Sequence, residues 1–81
     1  MRVTVKMFAA AREAVGASEV TVDVADGATI ADLRRAVIDE YPQMSALVDR
    51  AMFAIDAKYA SNEDLLSPGS EIACIPPVSG G

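Results

Sequence analysis

The stretch IPPVSGG closes the chain with two prolines, a valine, a serine and two glycines, and leaves a carboxylate at Gly81. A carboxylate is a poor electrophile. It reacts only after activation, for example as an acyl-adenylate that a sulfur or nitrogen nucleophile then opens. Glycine at both Gly80 and Gly81 keeps that carbon sterically open, and residues without Cβ can pass a narrow channel in whatever dihedrals it requires. Pro76 and Pro77 hold the backbone extended and project the last four residues away from the domain, although two prolines would also serve simply to end a strand. Val78, Ser79, Gly80 and Gly81 then reach about 12 to 14 Å at full extension, enough to enter a pocket in another protein. The plain alternative is an inert tail that happens to end in glycine. Diproline and diglycine together argue against it.

The side chains offer little competing chemistry. There is no histidine, so the usual proton shuttle near neutral pH is missing, and the one cysteine, Cys74, excludes an internal disulfide and a cysteine-based metal cage. Cys74 shares the inward phase of an alternating strand with Ile72 and has no adjacent base to lower its pKa, which makes it a core residue rather than a nucleophile. No glycine-rich phosphate loop and no metal-ligand spacing occur, so neither a metal site nor a bound cofactor is expected. Activation of Gly81 therefore falls to a second, nucleotide-using enzyme.

Twelve acidic against seven basic residues give a net charge of −5, with no Lys/Arg cluster to neutralise phosphates, so a positively charged protein surface suits this chain better than nucleic acid. No apolar run approaches membrane-spanning length, and the alternating N-terminus lacks the apolar segment of a secretion signal, so no membrane association and a cytoplasmic location are expected.

The elements that must carry this tail are legible from periodicity. Arg2 to Phe8 alternate, with Val3, Val5 and Met7 on one side and Thr4, Lys6 and Phe8 on the other, as in a half-buried strand. AAAREAVG predicts one or two helical turns stopped by Gly16, and EVTVDV predicts a second strand antiparallel to the first. Thr29 and Asp32 form a capping-box variant ahead of Ile30, Leu33, Val37, Ile38 and Tyr41 at helical spacing, with Arg34, Arg35, Asp39 and Glu40 on the other face. Pro42 stops this helix and MSALVDR predicts a further turn. AMFAID and SEIACI are short strands, separated by a loop built on Pro68 and Gly69.

Strand, strand, helix, strand, strand predicts an α+β roll of the β-grasp, ubiquitin-like kind, a mixed sheet covered by one main helix with its first and last strands adjacent. At 81 residues there is room for one domain, residues 1–75, and the extended tail, residues 76–81. By strand phase Phe8 and Ile75 both lie opposite the core, near the ends of neighbouring strands. They are either a docking patch or a strand end tucked under the short helix.

MFAAAREAVG, AIDAKYA and IPPVSGG together resemble the small, sulfur-carrying subunits of molybdopterin synthase across essentially the whole chain. The terminal motif is the specific part, and Asp56 stands where asparagine is often found, outside the tail. The resemblance implies a β-grasp fold whose tail inserts into the large catalytic subunit of a heterotetramer. It implies that an E1-like enzyme using ATP and Mg adenylates Gly81 and that a sulfur-donating enzyme supplies sulfur for a thiocarboxylate. That sulfur would pass to cyclic pyranopterin monophosphate to form the dithiolene of molybdopterin, the chain acting as the non-catalytic donor of a sulfurtransferase complex. Phe8, Tyr59 and Ile75 match the family's hydrophobic docking surface, with residues 76–80 as the inserted segment. A carrier for thiamine thiazole synthesis, a ubiquitin-like modifier that joins Gly81 to lysines, and an interaction domain with an inert tail are the competing readings.

Overall fold

Alternating valines and a single capped helix organise the chain around one apolar layer. A computed structural model describes residues 1–77. It contains β1 (Arg2–Met7), α1 (Ala9–Val15), β2 (Glu19–Asp23), α2 (Ile30–Glu40), a 3₁₀ turn (Pro42–Met44), α3 (Ser45–Arg50), β3 (Met52–Ile55), β4 (Lys58–Ala60) and β5 (Ile72–Ile75). The sheet order is β2-β1-β5-β3-β4. β1 and β5 run parallel, with Val5 opposite Ile72 and Met7 opposite Cys74, and the remaining pairings are antiparallel. This is the expected mixed β-grasp sheet with its first and last strands adjacent.

One face of the sheet is covered. Val3, Val5, Met7, Val20, Val22, Phe53, Ile72 and Cys74 pack with Ile30, Leu33 and Val37 of α2 in a single core. Helix α2 starts where Thr29 and Asp32 close a reciprocal capping box: the Asp32 N–H donates to the Thr29 hydroxyl and the Thr29 N–H donates to the Asp32 carboxylate. The Thr29 N–H foremost, and the Thr29 hydroxyl, which donates to the same carboxylate oxygen at 3.1 Å, hold the Asp32 pKa below its ordinary value. Gly16 ends α1 at φ 75, the left-handed cap that favours glycine.

Two features differ from expectation. The sheet has a fifth strand, β4, joined to β3 by a two-residue turn in which Asp56 and Ala57 both take positive φ (50° and 69°), as a type I′ hairpin requires. Three residues are too few to show alternation, and the turn lacks the glycine that normally marks it. Arg34, assigned by spacing to the solvent face of α2, is half-buried. Its guanidinium donates to the carbonyls of Val48 and Ala51 at 2.7 Å each and to Asn62 Oδ1 at 3.0 Å, and lies 4.9 Å from the centroid of the Phe53 ring. Helical spacing identifies the face of a residue but not the carbonyls of a neighbouring helix end that a long side chain can reach.

Candidate functional site

The uncovered face of the sheet carries the outward phase of each strand. Strand register lays Lys6, Ala73, Ala54 and Tyr59 in one row across β1, β5, β3 and β4. One step nearer the C-terminal end of β5, Phe8, Ile75 and Met52 form a second row; Ile75 is paired with Met52, and the Phe8 N–H donates to the Cys74 carbonyl at 3.3 Å. The first row is low in the middle because two alanines meet there, while the second stands tall. A concavity of about 310 Å³ results, lined chiefly by Phe8, Tyr59 and Ile75 over Ala54 and Ala73, with Lys6 and Glu71 at one rim.

Phe8 is 46 % exposed, Met52 50 % and Tyr59 68 %, so among the described residues this face presents large apolar side chains that stand open. Phe8 is thus exposed on this face and is not buried under α1. The residue caps α1 with its own carbonyl, which accepts from the Ala11 N–H, and its side chain stays outside the helix. At the rim Lys6 Nζ donates to Glu71 Oε2 at 2.8 Å, an exposed pair that holds the lysine pKa above its usual value.

β5, the strand that leads to the tail, is held at its start by the β3–β4 turn. The Asp56 N–H donates to the Glu71 carbonyl at 2.8 Å, and the Glu71 N–H donates to Asp56 Oδ1 at 2.9 Å. An asparagine amide oxygen could accept the second bond equally well, and both residues tolerate the positive φ that this turn position takes. At the other end of β5, Pro76 is buried and Pro77 exposed. Val78, Ser79, Gly80 and Gly81 lie outside the described residues.

Cys74 is fully buried between these two ends, and desolvation pushes its thiol up to about 11, with Arg34 exerting a smaller opposing pull. Among the described residues no group of three or more His, Cys, Asp or Glu side chains is placed to hold a metal ion. No helix among them is long and apolar enough to cross a membrane. Phe8, Tyr59 and Ile75 thus come together at one concavity. Ala54, Ala73, Met52 and the Lys6–Glu71 pair complete its surroundings without having been singled out from sequence, because only the register of four strands brings them alongside.

The ThiS family profile matches residues 5–81. The chain belongs to the ThiS family. Among ThiS-like relatives, the molybdopterin synthase sulfur carrier subunit of Chlamydomonas reinhardtii is 36% identical over 83 residues, covering 100% of both chains. The small archaeal modifier protein 1 of Haloferax volcanii is 31% identical over 84 residues, covering 94% of this chain and 97% of its own. A crystal structure of that protein, SAMP1, matches with a TM-score of 0.85 at 29% identity over 100% of both chains. The fold also recurs, at 21% identity and a TM-score of 0.68 over 100% of both chains, in a complex of subunits 1 and 2 of molybdopterin-converting factor from Helicobacter pylori.

Proposed function

We propose that this ThiS-family chain is the sulfur carrier subunit of molybdopterin synthase and that Gly81 is its reactive residue. The observation that carries the reading is the end-to-end match to a carrier subunit of that enzyme, together with a family match that runs through Gly81. In the proposed cycle an E1-like partner, using ATP and Mg, converts the Gly81 carboxylate to an acyl-adenylate with release of pyrophosphate. Sulfur at the sulfide level, supplied by a sulfur-donating enzyme, then attacks the acyl carbon; the C–S bond forms as the C–O bond to AMP breaks, leaving a thiocarboxylate. This group is ionised and nucleophilic near neutral pH, so it needs no base from its own chain, which has no histidine to offer. Inside the large catalytic subunit it transfers sulfur to cyclic pyranopterin monophosphate, and water returns the terminus to a carboxylate.

In this reading Phe8, Tyr59 and Ile75 dock on the large subunit while residues 76–80 thread toward its active site. The chain itself binds no cofactor. The assembly is a cytoplasmic heterotetramer, with one carrier at each end of a large-subunit dimer. The acidic carrier would repel the substrate's phosphate, so the cationic pocket belongs to the partner.

The likeness to a small archaeal modifier protein favours a second reading, in which Gly81 is joined to lysine amines of other proteins. One experiment separates the two: accurate mass of the C-terminal peptide from protein isolated from its own cells. Replacement of one oxygen by sulfur at Gly81 is the expected result. A lysine conjugate in its place would make the chain a modifier, and a plain carboxylate during active molybdopterin synthesis would count against both.

A further inference from the structure

The concavity has a shape that flat apolar docking does not explain. Two alanines lie side by side in register, Ala54 on β3 and Ala73 on β5, where the strands on either side place Tyr59 and Lys6. Ahead of them stand Phe8 and Ile75, and behind them the Lys6–Glu71 pair closes the rim. The floor is therefore one side chain lower than its walls, and its lining is apolar except at that rim. About 310 Å³ is near the lower end of the ~300–1,000 Å³ typical of sites for small ligands. It is ample for one large side chain.

The span between the domain and Gly81 limits what can fill it. In the carrier reading a partner engages Gly81, and the four residues from Val78 to Gly81 reach about 12 to 14 Å, so that partner must rest against the domain surface around the exit of β5. Ile75 and Phe8, the front wall of the concavity, are that surface. The partner that takes the tail thus also roofs the alanine floor, and an unfilled depression there would forfeit packing contacts over its whole lining.

We infer that the tail-receiving partner inserts one bulky apolar side chain, of the size of leucine, methionine or phenylalanine, onto the Ala54–Ala73 floor, which makes these alanines the specificity-determining residues of the interface. This inference rests on the carrier reading proposed above and adds to it the chemistry of the partner's anchor. The anchor enters between Tyr59 and Ile75, and the Lys6–Glu71 pair bounds it on the third side with charge that a polar side chain at the partner's rim can meet. Alanine at both positions acts as a size filter: any longer residue would occupy the volume that the anchor needs.

The test is titration calorimetry of the full-length chain with the molybdopterin synthase large subunit from the same organism, comparing the native sequence with Ala73→Leu, Ala54→Leu and Thr4→Leu. Thr4 lies on the same face but outside the concavity, so Thr4→Leu should bind as the native chain does. Ala73→Leu and Ala54→Leu should each weaken binding roughly thirtyfold or more, the scale of a lost interface anchor. Unchanged affinity in both would overturn the inference. Because Ala54 is buried and its substitution could disturb the fold, NMR of the native chain provides a second readout. The Ala54 and Ala73 methyl signals should shift on adding the large subunit; no shift in the complex would overturn the inference, as would shifts that track the chain's own concentration, the mark of a second copy on the floor. Failure of the native chain to bind the large subunit at all would remove the carrier reading and the anchor with it.

Discussion

Cys74 shows how burial decides what a side chain contributes. Its thiol is fully buried on the parallel β1–β5 ladder and titrates at about 11, so at neutral pH almost none is thiolate. Native protein is therefore expected to resist an alkylating agent at pH 7.5 that labels urea-unfolded protein within minutes, as read by intact mass. The same shift links to stability with a definite sign. The folded state keeps this proton above the ordinary thiol pKa of 9.0, so stability is unaffected by Cys74 below that value and falls as pH rises toward about 11. Arg34 is the opposite case, a charged residue recruited to structure. Its guanidinium serves two carbonyls around the end of α3 and stacks on Phe53, a planar fork that an ammonium cannot reproduce. Arg34→Met is expected to cost about 2 kcal/mol, a fall in Tm on the order of 10 °C by calorimetry, and Arg34→Lys to recover only part of it.

At the level of elements, the β3–β4 turn is where local preference and fold disagree. Ala57 sits at φ 69 with no glycine to relieve it, a conformation that disfavours a residue with Cβ by about 1 kcal/mol. Ala57→Gly is expected to raise Tm by a few degrees after the added chain entropy of glycine is subtracted. The same disagreement explains why β4 was hidden in the sequence, whereas β1 and β2 were legible from valine at every second position, β5 from the inward phase of Ile72 and Cys74, and α2 from its capping box. Alternation and capping are local, so one sequence reports them. The anchor floor is not local: Ala54 and Ala73 look like filler until β3 and β5 pair. Phe8 and Ile75 were found outside because strand phase alone places them, but their distance from Tyr59 is set by three pairings that no single segment encodes.

Over the whole molecule, folding and proposed chemistry occupy different parts of the chain. The core is complete within residues 3–74, and the proposed reactive group lies seven positions beyond it. One alanine added after Gly81 is accordingly expected to leave the Tm unchanged while abolishing molybdopterin formation in a reconstituted assay, since in the proposed cycle the carboxylate would no longer stand where activation requires it. Unimpaired formation by that variant would exclude Gly81 as the sulfur-bearing residue.

The central place of β5 also bears on how the chain is made. Until Ile72 to Ile75 have left the ribosome, the sheet is two separate strand pairs, β2-β1 and β3-β4, with no ladder between them. A nascent or prematurely ended chain then exposes its apolar layer to chaperones and proteases, because the last strand supplies both missing ladders at once. A chain that stops before β5 is therefore expected to be cleared as unfolded, so that the chains that accumulate are those whose last strand has joined the two halves of the sheet.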